Sequence, residues 1–279
     1  MKDKVCVISG GTDGIGKAAA QALALQGARL LVHGRDPDKG ARAVAEIKAR
    51  SRNPNIEFVR ADFSSLTDVR RLAATIMQRT PRIDVLINNA GGMFSKRNVS
   101  KDGYEMTFAV NHLAPFLLTH LLLETLKGSG GARIVTTASD AHRGAALPLD
   151  DLQATGKYSS MRVYGTSKLA NILFTRALAK RLEGTSVTAT CLHPGFVRTN
   201  FVRDAPRWGR AIFALIARFA RSPEKGAETL VYLAASPQVQ GASGGYYFDC
   251  RLTPPAPAAQ DDEVAERLWQ LSEKWVGIA

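Results

Sequence analysis

Short, continuous apolar runs alternate with helical patterns through most of this chain, and that alternation limits the available folds more than any other feature. The runs fall at 5–9 (VCVIS), 28–34, 56–62, 84–91, 132–139 and 185–195. Between them lie IGKAAAQALALQ, closed by Gly27, then a segment opened by Pro37, and SSLTDVRRLAATIMQR with a serine cap. Residues 102–127 read as one long helix kinked at Pro115, and 161–184 as another. Strands that are apolar throughout, rather than alternately, suit a parallel sheet covered on both faces. Strand–helix alternation with right-handed crossovers predicts an α/β, doubly wound sheet flanked by helices. The expected strand order is 3-2-1-4-5-6, with a ligand crevice at the strands' carboxyl ends. One domain is expected over 1–253. The Pro/Ala spacer PPAPAA and a last helix, within 254–279, would pack onto it.

The first strand–helix turn is SGGTDGIGKAA, with glycines at Gly10, Gly14 and Gly16. Small residues there let a helix N-terminus approach a pyrophosphate, where free N–H groups favour anions. Thr12, Asp13 and Ile15 complete the turn. The spacing is G-x-x-x-G-x-G rather than the G-x-G-x-x-G of other dinucleotide folds. Gly11 to Lys17 also fits a triphosphate-binding loop, but Ala18 has no hydroxyl for Mg²⁺, which argues against nucleotide hydrolysis. The second strand ends in VHGRD. Arg35 suits the 2′-phosphate of NADP(H), whereas an acid would suit NAD(H); Asp36 reads as the start of the next helix. Asp13 counts the other way, since its charge would repel a 2′-phosphate. Gly241–Gly245 matches the G-x-S-x-G nucleophile pattern, but a strand-like YYFD follows it where a helix is required, so Ser243 reads as a loop residue.

YGTSK places Tyr164 and Lys168 one helical turn apart on one face. The pair is either an ordinary surface pair or a catalytic one, in which the ammonium lowers the phenol pKa. The formal net charge is +12 over 279 residues. Much of it is arginine scattered along helices, with no nucleic-acid recognition motif, so no nucleic-acid partner is expected. Cys6, Cys191 and Cys250 are far apart and show no zinc spacing, as expected of free thiols in a reducing compartment. The chain enters its first strand directly, with no signal peptide and no spanning run read from the sequence, so the cytoplasm is the expected location.

Taken in order, SGGTDGIG, NNAG (88–91), VNH with Asn111, Ser139, the Tyr164–Lys168 pair and HPG with Thr199 resemble the short-chain dehydrogenase/reductases over nearly the whole chain. DGYEMTFAVNHLAPFLLTHLLLETLK, YGTSKLANILFTRALAKRLEGT and SGGYYFDC resemble its retinol-dehydrogenase-like branch more closely. That resemblance implies a Rossmann-type fold and an NAD(P)(H)-dependent oxidoreductase, with NADP(H) preferred. It implies Tyr164 as general acid/base, Lys168 tuning it and binding the nicotinamide ribose, and Ser139 holding the reacting oxygen. Asn111 would hold a water that links Lys168 to solvent. It further implies Asp62 and Phe63 near the adenine, Asn89, Ala90 and Gly91 near the adenosine ribose, and Pro194, Gly195, Val197 and Thr199 near the carboxamide. The chain departs from the family at Ser9, where Thr is usual, and at Thr136-Thr137-Ala138, which replaces the residues that usually precede the serine.

In the same family the region 196–221 is the substrate lid. Residues 198–221 hold six Arg and one Asp, six minus one giving +5, interleaved with Trp208, Ile212, Phe213, Leu215, Ile216 and Phe219. An apolar inner face implies a lipophilic substrate such as a retinoid, steroid or aliphatic carbonyl. A basic amphipathic segment is also compatible with peripheral contact to an anionic membrane. The expected reaction interconverts an alcohol and a carbonyl. A silent dinucleotide-binding sensor or scaffold, and a reductase of an activated C=C bond, remain as alternatives.

Overall fold

The computed structural model describes residues 1–197, 202–203 and 220–278. In chain order its strands are β1 (Val5–Ile8), β2 (Arg29–Gly34), β3 (Ile56–Arg60), β4 (Val85–Asn88), β5 (Met93–Phe94), β6 (Arg133–Thr137), β7 (Thr188–Leu192), β8 (Val202–Arg203), β9 (Tyr246–Phe248) and β10 (Arg251–Leu252). Eight of them form one sheet in the order β10-β9-β7-β6-β4-β1-β2-β3, while β5 and β8 pair with each other. The expected six-strand order is present as β3-β2-β1-β4-β6-β7. YYFD extends it as β9, parallel to β7, and β10 closes that edge antiparallel. The central register sets Cys6 beside both Leu30 and Val85, so β1 is fully buried.

The helices are α1 (Gly14–Leu25), α2 (Pro37–Ser51), α3 (Leu66–Arg79), α4 (Met106–Phe108), α5 (Ala114–Lys127), α6 (Ser160–Arg181), α7 (Pro223–Ala235) and α8 (Asp262–Val276). One face of the sheet packs on α1, α2 and α7 through residues such as Leu23, Ile47 and Leu230; the other packs on α3, α5 and α6 through Ile76, Leu117 and Leu173. Local chemistry starts these helices where polar residues precede the apolar stripes. The Asp36 carboxylate accepts from the Lys39 N–H, and the Ser65 hydroxyl accepts from the Asp68 N–H. Past α1 the chain turns at Gly27, whose φ of 84° suits glycine. The spacer and α8 cover α5 and α6. The Trp269 ring lies 4.9 Å from Phe116 and 4.0 Å from the Arg181 guanidinium, and Ser272 meets the buried His112 ring at 2.8 Å.

The 102–127 segment differs from the single kinked helix expected. It runs as α4, then a π turn over Ala109–Leu113, then α5. Pro115 has no N–H for the preceding turn, and the Ala114 N–H reaches back to the Ala109 carbonyl instead. The extra residue in that turn carries Asn111. The stretch Met106–Lys127 is also long and apolar enough to cross a membrane, contrary to the expectation that no such run exists; 72% of its most apolar window is buried inside this fold. Apart from β2, these strands end one to three residues short of the apolar runs, because residues such as Ser9, Asn89 and Ser139 already belong to loops. The Ser243 hydroxyl accepts from the Ala189 N–H beside β7, so it serves a strand edge, as a loop residue would.

Asp84 ties the amino end of the sheet. Its carboxylate accepts from the Val5 N–H, the Lys4 ammonium and the Arg82 guanidinium. Burial alone would raise its pKa, but these donors hold it below the ordinary aspartate value. A carboxylate with a depressed folded-state pKa contributes stability above its unfolded pKa of about 4 and loses it as pH falls through the folded value. Asp84→Ala is therefore expected to cost about 3 kcal/mol at pH 7 and much less at pH 2.5, as urea unfolding of both proteins at the two pH values will show.

Candidate active site

The crevice opens where the carboxyl ends of β1 and β4 part, because the chain leaves β1 toward one face and β4 toward the other. Two side chains hold the loops together there. The Ser9 hydroxyl donates to the Ile87 carbonyl and accepts from the Asn89 and Ala90 N–H groups at 3.0 and 3.1 Å. The Asn89 amide donates to the Ser9 and Gly10 carbonyls. The Asn89 side chain thus joins strand ends. Asn88 is likewise engaged, with the Thr119 hydroxyl.

The glycine turn has the close approaches that its composition predicts. Gly10 has φ of 66°, and a Cβ there would lie 2.8 Å from the Ala90 Cα. A Cβ on Gly16 would lie 2.2 Å from the Gly10 carbonyl oxygen, so no larger residue fits without a backbone shift. The His33 ring supports this turn. Its Nδ1 lies 3.4 Å from the Gly10 nitrogen, its Nε2 lies 3.1 Å from the Ala61 oxygen, and its face stacks on Phe63. Burial pushes His33 down to about 4, so it is neutral at physiological pH. Ile15 and Val197 meet beside Gly226, at the amino end of α7.

At the end of β2, Arg35 is exposed and its side chain makes no hydrogen bond among the described residues. Asp36 caps α2, as its position suggests. Asp13 differs from the repelling charge expected: its carboxylate caps the Gly14 N–H and pairs with the Lys39 ammonium at 2.5 Å, which offsets its charge. Asp62 accepts from the Ser64 N–H and pairs with Lys101; Ser65, not Asp62, caps α3.

On the other side of the crevice, α6 carries Tyr164 and Lys168, which are 8% and 3% exposed. A surface pair is thereby ruled out. The Lys168 ammonium donates to the Thr137 carbonyl at 2.9 Å and lies 5.7 Å from the centre of the Tyr164 ring. The Ser139 side chain acts on Tyr164 so as to favour its ionised form, and its hydroxyl accepts from the Ala141 N–H. Asn111 brackets Gly92, accepting from its N–H and donating to its carbonyl, and donates also to the Ser167 hydroxyl. A Cβ on Gly91 would meet the Asn111 oxygen at 3.1 Å and the Lys168 ammonium at 3.6 Å. The π turn and α6 thus meet at the β4 loop.

One electrostatic expectation is corrected. The lysine was expected to pull the phenol down, but burial pushes Tyr164 up to about 12, opposed only in part by Ser139, and pushes Lys168 down to about 8. Desolvation is the largest influence on each group. Pro194, Gly195 and Val197 follow β7 toward the same crevice, with Gly195 against the Arg221 side chain. Thr199 and the basic apolar segment around Trp208 to Phe219 lie outside the described residues. Sequence reasoning noted Ser9 only as a departure from the family, without its bridging role, and missed His33 as a second contributor. A histidine one residue before the end of β2 was the available signal for the second.

Comparison with known proteins gives the same picture. The short chain dehydrogenase family matches residues 4–209. Retinol dehydrogenase 14 of Mus musculus is 42% identical over 291 aligned residues, covering 100% of this chain and 87% of that protein. A Streptomyces protein named "Putative daunorubicin C-13 ketoreductase DnrU" is 43% identical, covering 99% of this chain and 94% of that protein. A solved structure of an uncharacterized Mycobacterium paratuberculosis protein superimposes with a TM-score of 0.81 at 31% identity, covering 99% of this chain and 94% of that one. With likeness in sequence and in fold running the length of the chain, the protein belongs to the short chain dehydrogenase family and is an oxidoreductase.

Proposed function

We propose that the protein reduces a carbonyl on a lipophilic small molecule with NADPH, and in reverse oxidises the corresponding alcohol. The observation that carries this reading is the convergence of two hydroxyls, Ser139 and Tyr164, beside a buried ammonium whose only hydrogen bond among the described residues is to Thr137. The residues fit a dinucleotide. Gly10 and Gly16 leave a backbone cradle that a Cβ would fill, and Lys168 keeps N–H donors for a ribose. Arg35 would pair with a 2′-phosphate, and Lys39 partly offsets the Asp13 charge that counts against one. Bound NADPH supplies the hydride.

The chain's own residues do the rest. Ser139 donates a hydrogen bond to the carbonyl oxygen and holds it in place. Tyr164, kept as phenol by burial, gives its proton to that oxygen as negative charge develops there, the state that reduction requires. Lys168 stabilises the resulting phenolate. Asn111 keeps the β4 loop and α6 in register, beside the path by which Tyr164 is reprotonated. The names of the retinol dehydrogenase and ketoreductase relatives support a lipophilic carbonyl or alcohol as substrate, as does the apolar content of the region around Trp208 to Phe219.

Tyr164→Phe is expected to lower turnover of retinal or a medium-chain aldehyde by about a thousandfold, with NADPH affinity nearly unchanged by fluorescence titration. Retained turnover, or cofactor binding with no carbonyl substrate turned over by the wild type, would overturn the assignment. Arg35→Ala is expected to raise the KM for NADPH about tenfold to a hundredfold, the loss of one charge-assisted contact, and to leave that for NADH alone. The lysine charge is complete below its pKa and is lost as pH rises through about 8. A pH profile of kcat/KM for reduction should therefore be level near neutrality and fall above about pH 8.

A further inference from the structure

The turn that follows Ser139 is held from outside by the Pro/Ala segment near the C-terminus, and one buried side chain makes the join. His142 is fully buried. Its Nδ1 lies 2.7 Å from the Ser139 carbonyl oxygen and its Nε2 lies 3.0 Å from the Ala256 backbone nitrogen. A carbonyl only accepts and an amide N–H only donates, so the two backbone partners dictate the tautomer: Nδ1 carries the proton and Nε2 is bare. The ring is fixed further by edge contact with Tyr246, at 5.1 Å between centres. Beside it the exposed Arg143 adds a second stitch, donating to the Pro254 carbonyl. On the opposite side the same turn is pressed against α6, where a Cβ on Gly165 would lie 2.8 Å from the Ala141 carbonyl oxygen. The Ala141 N–H in turn donates to the Ser139 hydroxyl. The turn is clamped between the helix that carries Tyr164 and the strap at 254–256.

We propose that His142 is a positioning residue for Ser139, and that through it the C-terminal strap sets where the serine hydroxyl stands relative to Tyr164. The inference rests on Ser139 holding the reacting oxygen. His142 touches neither substrate nor cofactor; it fixes the Ser139 peptide, from which the hydroxyl projects. Prolines at 254, 255 and 257 make the strap stiff, so its anchor on the ring is well defined.

Two measurements test this. Nitrogen-15 NMR of the wild-type imidazole is expected to report the neutral Nδ1–H tautomer; a predominant Nε2–H form or imidazolium near neutral pH overturns the latch, whatever the enzyme's substrate. Kinetics with NADPH and a carbonyl substrate then compare His142→Phe, Ser139→Ala and the double variant. His142→Phe, which keeps the ring's bulk, is expected to lower kcat about tenfold with KM for NADPH unchanged. His142→Asn, whose amide can donate where Nδ1 does, should recover most of that loss. Loss of the effect in the Ser139→Ala background identifies action through the serine. Equal losses in both backgrounds, or an Asn variant no better than Phe, overturn the proposal and leave His142 a packing residue. Full turnover in Ser139→Ala alone removes the serine's assigned role, and the positioning proposal falls with it.

Discussion

The join between the carboxyl ends of β1 and β4 is the constraint on which the rest of the site depends. Parallel strands that diverge to opposite faces leave a gap, and the gap must be bridged without filling it. Ser9 and Asn89 do this with short side chains that satisfy backbone groups which would otherwise lie unpaired at the bottom of the crevice. The glycine turn can then close against Ala90 with almost no clearance. Every residue assigned to the crevice is referred to this join, Ser139 and the α6 pair across it and Arg35 beside it.

Burial of Lys168 follows from the same geometry. An ammonium excluded from water is costly unless its donors are met, and Thr137 meets one of them from the end of β6. The lysine stays charged at neutral pH but easily discharged, and the tyrosine stays a phenol. A pair poised in this way suits an enzyme that donates a proton on demand. The tuning comes from desolvation by the helix–sheet packing, more than from attraction between the two side chains.

The outer layers serve the inner ones. The π turn that Pro115 forces on the central helix brings Asn111 against the β4 loop, and α8 seals that helix with Trp269 and Ser272. The strap that leads into α8 reaches the turn behind Ser139 through His142. The C-terminal segment therefore bears on both the apolar core and the turn behind Ser139, although it lies far from that turn in the sequence.

How much of this was legible beforehand differs by kind of information. Continuous apolar runs pointed to the parallel sheet, since strands buried on both faces carry them, and the strand order followed from the doubly wound alternation. The glycine spacing and the Tyr164–Lys168 interval marked the site, because anion-binding turns and one-turn pairs are local geometry that a sequence displays directly. What depends on distant partners was not legible. Lys39 offsets the Asp13 charge from the next helix, and His33 props the glycine turn across strands. The π turn needed both Pro115 and a place for Asn111 to bond. Burial alone reversed the expected direction of the Tyr164 shift. Sequence determines which groups are present and at what local spacing. Only tertiary packing decides which of them lose water and which charges meet, and desolvation and pairing are what set their chemistry.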